Sequence, residues 1–211
     1  MRKFFQLLLA VAIVGLIYVI YLQISTPINF DKERAEKEKA IVERIKDVRT
    51  AERAFKSKYQ MFTEDFDTLI NFVLNDSLVL ERKIYDEDDS VGMAQLLLTK
   101  QKNIEKFSIA VIDTIFAPRK LTVEQVKELR YVPTTDNKRE FTLMADKIET
   151  ESRVVIPIVE CRVPYTQYLD TVKYRQLIVN LIDNDLNNFN KYPGIKFGSM
   201  EGGNNEAGNW E

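Results

Sequence analysis

The chain has 211 residues, with 30 Lys and Arg against 32 Asp and Glu, a net charge of −2. That balance leaves no electrostatic footprint for nucleic acid. The absence of histidine excludes His-based triads, His metal sites and a His pH switch. A single cysteine, Cys161, excludes an internal disulfide framework.

The first element is an apolar run over residues 4–24, opening at Phe4 and closing at Ile24, with no charge in it. Its length matches the ~20 helical residues that cross a bilayer core. Arg2 and Lys3 precede it, which places residues 1–3 in the cytoplasm by the positive-inside bias. Tyr18 and Tyr21 suit the far interface. The run exceeds a signal-peptide core of about 7–15 residues, and residues 23–27 offer no small-residue cleavage pattern. An uncleaved signal anchor is therefore expected, in an inner membrane, with the rest of the chain extracytoplasmic. Gly15 stands alone, so no G-x-x-x-G pairing motif is present. The absence of ionisable side chains inside the run argues against an ion pathway.

Residues 25–58 read as a helical stalk. From Asp31 onward they are charge-rich and free of Gly and Pro. Glu33→Lys37 and Glu52→Lys56 have the favourable i,i+4 order. Ile41, Ile45, Val48, Ala51, Phe55 and Tyr59 fall on one face. That stripe is short for a coiled coil, so it is expected to pack on its own domain. The stretch up to Ala40 is polar all round and reads as solvated. Pro27 is expected to kink or break the join.

Residues 59–198 read as a small α+β head. Thr63 is placed as the cap of a helix carrying Phe66, Leu69, Ile70 and Val73, closed at Asn75 and Asp76. Asn75-Asp76-Ser77 also matches the N-glycosylation pattern, a weak signal alone. Asp86 to Asp89 is an acidic cluster without EF-hand spacing, read as a solvated loop. Residues 91–102 read as helix, and Phe107, Ile109 and Val111 as a strand. Thr122 with Gln125 forms a near capping box. Residues 140–149 and 153–163 read as a hairpin, with Pro157 marking an edge or a bulge. Cys161 reads as a small buried strand residue. A helix follows over 174–189, then a short strand at Ile195 to Phe197. Residues 199–211, rich in Gly and Asn, read as disordered, with Trp210 either exposed by accident or a docking residue.

No catalytic, cofactor or metal residues are assigned. The acid pairs Asp146 with Glu149 and Asp183 with Asp185 are what any chain this charged contains. The expected role is that of an interaction or structural module of the cell envelope, binding a protein partner or its own copies through head or stalk.

Two resemblances bear on this. Residues 45–55, with Tyr59 and the stretch 62–69, are similar to the end of the long helix of type IV pilins and pseudopilins and the turn after it. That resemblance implies a minor subunit of a pilus or secretion machine. Pilins carry a basic leader ending in glycine and a glutamate five residues into the mature helix. Here Gly15 lies mid-run and no acid precedes Asp31. Residues 113–116, 129–133, 192–199 and 207–211 resemble a set of single-pass envelope proteins of Bacteroidetes-type bacteria, a set without an assigned activity.

Overall fold

The computed structural model describes residues 2–86, 88–99, 102–135 and 139–211, without the side chains of Lys3 and Met93. It opens with one helix, α1 (Arg2–Tyr59), of 58 residues. Good helix formers and i,i+4 pairs sustain it past the apolar run: Glu33 with Lys37 at 2.9 Å and Arg34 with Glu38 at 2.7 Å. The expected break at Pro27 is corrected. The helix runs through it, with the Thr26 hydroxyl donating to the Leu22 carbonyl at 2.7 Å. A proline forfeits one backbone donor, and the ladder on both sides is long enough to continue.

The stalk reading also needs correction. Residues 4–24 stand exposed, but from Phe30 onward α1 is the spine of the head. Ile41, Ile45, Val48, Ala51 and Phe55 are buried, so the stripe packs within its own chain, as expected. Burying each Ile, Val or Phe of that stripe contributes about 1.5–3 kcal/mol. The stretch before Ala40 is not solvated all round, because Phe30 stacks against Tyr174 with ring centroids 5.1 Å apart. Glu52 sits on the buried stripe and is wholly inaccessible. The surface pair expected with Lys56 does not form, and Lys56 turns to Glu206 at 3.3 Å.

After Gln60, in the left-handed region at φ 59°, the chain doubles back into α2 (Phe66–Asn75). Its cap is Asp65 rather than Thr63. The Asp65 carboxylate accepts the N–H groups of Asp67 and Thr68 at 3.2 and 2.8 Å, while the Thr63 hydroxyl serves the N–H of Asp65. Phe66, Leu69 and Val73 are buried as expected, and Phe72 meets Phe55 edge-on at 5.2 Å. A strand not foreseen follows, β1 (Ser77–Arg82), then α3 (Ser90–Thr99) and β2 (Glu105–Ala110). Glu87, Lys100 and Gln101, within the expected acidic loop and helix, lie outside the described residues. Val111, expected in the strand, opens a short helix instead, α4 (Val111–Ile115).

Thr122 caps α5 (Val123–Lys127), and a 3-10 turn continues over Glu128–Arg130. The capping box is complete: the Gln125 side chain accepts the Thr122 N–H at 2.9 Å, and the Thr122 hydroxyl accepts the Gln125 N–H at 3.4 Å. Thr122→Ala is expected to cost about 1 kcal/mol, read as a lower thermal midpoint with unchanged far-UV circular dichroism.

The main sheet is antiparallel, in the order β3 (Thr142–Glu149), β4 (Val155–Pro164), β5 (Gly194–Gly198). The expected hairpin joins β3 to β4, closed by the Thr150 N–H on the Val154 carbonyl with Arg153 at φ 59°. Pro157 lies in a central strand, yet β5 pairs only with Glu160 to Pro164. At Pro157 the β4 flank is locally an edge, which is where a residue without an N–H is tolerated. Between β4 and β5 lie α6 (Tyr165–Tyr168), α7 (Arg175–Asp183) and a π turn (Asn184–Asn188).

The tail is ordered, contrary to its composition. Gly198 donates to the Ala207 carbonyl at 3.0 Å, Phe197 bridges Gly208, and Trp210 packs against the core beneath Arg49, 5.6 Å from its ring. Glu206 is held by Arg53 and Lys56 at 3.2 and 3.3 Å, and Glu211 by Arg49 at 2.6 Å. The ring of Trp210 is neither freely exposed nor presented to a partner here, but seated on the core of its own chain.

Candidate interaction surface

The far end of α1 carries an arm made by β1, α3 and β2. Its root is polar and fixed. Asp76, between α2 and β1, takes the ammonium of Lys58 and the hydroxyl of Tyr59, the latter at 2.7 Å. These contacts, Lys58 first, hold its carboxyl down to about 2. The two strands pair from Ser77↔Ala110 to Arg82↔Glu105. Cross-strand ion pairs, Lys106 with Glu81 at 2.8 Å and Arg82 with Glu105 at 2.7 Å, set the register at the outer end.

A two-stranded ribbon is marginal alone and needs a buried face. Leu78 packs against the core, while Val79, on the other face, is 65% exposed. Beyond the ribbon, Asn103 clasps the chain: its carbonyl accepts the N–H groups of Ile84 and Tyr85, and its amide donates to the Tyr85 carbonyl. The Asp89 carboxylate caps the start of α3 by accepting the N–H groups of Val91 and Gly92. In α3, Leu96 is buried, but Val91, Leu97 and Leu98 are 71%, 78% and 85% exposed. Isolated exposed leucines are ordinary on a protein surface. On this ten-residue helix three large apolar side chains stand exposed together.

The concavities are open to solvent, and a hollow of about 560 Å³ sets Ile115, Phe116 and Pro118 beside Glu43, Asp47 and Arg119. The hollow of about 440 Å³ bounded by Glu33, Lys37, Arg139, Gln167 and Asp170 lacks the apolar lining of a small-molecule site. The carboxylates weighed as acid pairs are not brought together in a cleft. Asp146 and Glu149 are exposed on β3, three positions apart and so on opposite faces. Asp185 accepts the Tyr165 hydroxyl at 2.8 Å, while Asp183 accepts the amide of Asn187 at 2.6 Å. Among the described residues no three His, Cys, Asp or Glu side chains gather as a metal set.

Glu52 and Cys161 are wholly inaccessible in the core. The Glu52 carboxyl accepts the Thr63 N–H at 3.2 Å through one oxygen, and the other oxygen has no hydrogen-bond partner among the described residues. Burial pushes this acid up to about 8, the Thr63 bond opposing it. Cys161, on β4, is buried, and burial, then the neighbouring carboxyls of Glu52 and Glu160, raise its thiol well above the ordinary range. A maleimide is therefore expected to leave Cys161 unmodified in the native chain and to label it fully in denaturant, scored by intact mass. Rapid native labelling would refute the packing described for β4. Glu160 is also buried but is paired with Arg162 at 3.2 Å and Lys196 at 3.3 Å.

No protein-family model, curated protein or solved structure matches this chain. The long apolar helix remains the strongest positional signal. α1 is long and apolar enough to cross a membrane, near the N-terminus, and its apolar part is unburied, as fits a single anchor.

Proposed function

We propose that this protein is a membrane-anchored module of the cell envelope, single-pass, with its N-terminus cytoplasmic and its head extracytoplasmic, acting by binding rather than by catalysis. The observation that carries this reading is α1. One unbroken helix gives its first part to solvent-exposed apolar side chains and its second to the core of the head. An apolar run of that length left outside the fold is unfavourable in water and stable in lipid. The distal arm supplies the contact face: its root at Asp76 meets Lys58 and Tyr59, about 50 Å along α1 from Ile24 by helix rise, and Leu97 and Leu98 belong to that arm. Its occupant is a protein of apolar groove, or a second copy of the chain.

The test is a gentle-detergent pull-down from native membranes, paired with the same pull-down of a Leu97→Asp, Leu98→Asp chain. Recovery of a partner or a dimer that the double variant loses supports the reading. A lone monomer from both chains removes it.

A second reading, a minor pilin-like subunit, draws on the same helix, because an apolar N-terminal half projecting from an α+β head is the pilin arrangement. It requires a trimmed N-terminus. Intact mass of the mature protein decides it, and a chain beginning at Met1 ends it.

A further inference from the structure

We infer that the base of the head, the layer formed by residues 165–191, rests in the headgroup zone of the bilayer that α1 enters. This rests on the reading of residues 4–24 as the span. The helix is continuous through Pro27, so no linker separates span from head. Phe30, the first buried residue of α1, lies six residues past Ile24, about 9 Å along the axis. The headgroup zone of one leaflet is about 5–8 Å deep.

The order of contacts along α1 identifies the layer nearest the lipid. Phe30 meets Tyr174, Glu33 pairs with Lys173 at 3.7 Å, the Arg34 guanidinium donates to the Tyr165 hydroxyl at 3.5 Å, and Lys37 donates to the Tyr168 carbonyl at 3.0 Å. Contacts with the tail and with Asp76 come only farther along, from Arg49 to Lys58. This lowest layer exposes Val172 at 91%, Phe189 at 58% and Leu186 at 49%. Lys173 lies 4.5 Å over the Tyr174 ring and Lys191 lies 5.5 Å over the Phe189 ring. Apolar side chains beside aromatic rings topped by ammonium groups are the chemistry of the lipid–water boundary, where the stem enters the acyl edge and the charge stays with phosphate. Lipid, rather than protein, is the occupant on steric grounds. Of the about 9 Å between Ile24 and Phe30, headgroups take about 5–8 Å, which leaves far less than the about 10–12 Å of one α-helix.

The experiment uses the full chain in vesicles of phosphatidylcholine and phosphatidylglycerol in a two-to-one ratio. Cys161 is replaced by Ala, and one environment-sensitive fluorophore is attached at Val172→Cys, Phe189→Cys, Val79→Cys or Val14→Cys. Lipids carrying a nitroxide near the headgroup are expected to quench positions 172 and 189 several-fold more than position 79 on the distal arm. Val172 is almost fully exposed, so its replacement leaves the fold intact even if Phe189→Cys does not. Quenching at position 172 no greater than at 79, with position 14 quenched by deep nitroxides, overturns the inference and leaves the anchor standing. Shielding of 172 from aqueous iodide without nitroxide quenching assigns the surface to protein and also overturns it. Absence of quenching at position 14 removes the anchor, and the inference with it.

Discussion

Replacing Glu52 by Gln is expected to stabilise the protein at neutral pH and to flatten its pH dependence. Glu52 is inaccessible on the buried stripe of α1, one oxygen on the Thr63 N–H and the other without a partner among the described residues. With its pKa pushed up to about 8, the native state keeps a proton that the unfolded chain has released. Between the ordinary carboxylate value of 4.5 and about 8, the native state binds more protons than the unfolded one. Stability therefore falls as pH rises through that window, by about 1.4 kcal/mol per pH unit, and is level below and above it. Glutamine keeps the acceptor for Thr63 and puts an amide donor where the acid held its O–H, so polar burial changes little while the titration disappears. The gain is expected to be on the order of 3 kcal/mol at pH 7 and to vanish near pH 4. Thermal unfolding of both chains in one detergent, across that pH range, measures it. Parallel pH profiles for the two chains would show that Glu52 does not bury a proton.

Position 52 also shows what the sequence did and did not make readable. It lies four residues after Val48 and three before Phe55, squarely on the apolar stripe, so its burial was open to inspection. The i,i+4 order with Lys56 suggests a surface pair instead, and a charged side chain on an apolar stripe satisfies both patterns. Features decided within a few residues were legible. The Thr122 and Gln125 box closes on itself, and the alternation of Phe141, Leu143 and Ala145 puts those side chains on the core face of the hairpin. Strand β1 was not legible. It reads as three consecutive apolar or β-branched residues followed by charge, and its partner begins more than 20 residues later. The cap of α2 was missed by two residues because Thr63 and Asp65 are both capping types, and the carboxylate serves two N–H groups where the hydroxyl serves one. The candidate contact face on α3 left the weakest trace. Leu96, Leu97 and Leu98 are adjacent in sequence, and only the fold separates the one that is buried from the two that are not.

The tail was the largest misreading, and it supports the second large prediction. Gly and Asn content argues for disorder when a segment has nothing to pack against. Here the order comes from cations about 150 residues earlier, Arg49, Arg53 and Lys56, and from one backbone position that launches the tail. Gly198 ends β5 at φ 77°, in the left-handed region, and an added Cβ would fall far inside van der Waals contact with the Val159 carbonyl oxygen. Gly198→Ala therefore meets both a backbone penalty and a clash with β4 that no side-chain rotation relieves. The expected cost is on the order of 3 kcal/mol or more. Because the Gly198 N–H also binds the Ala207 carbonyl, the same change is expected to unseat residues 199–211. Trp210 is the only tryptophan, so its emission reports the outcome directly, moving to the red as the ring leaves the core. Glu211→Ala is the contrast. It removes an exposed partner of Arg49 and leaves the ring seated, so both the emission and the thermal midpoint should hardly move. If Gly198→Ala left the Trp210 emission in place, backbone geometry at that glycine would not be what orders the tail, and the ion pairs of Glu206 and Glu211 would have to suffice.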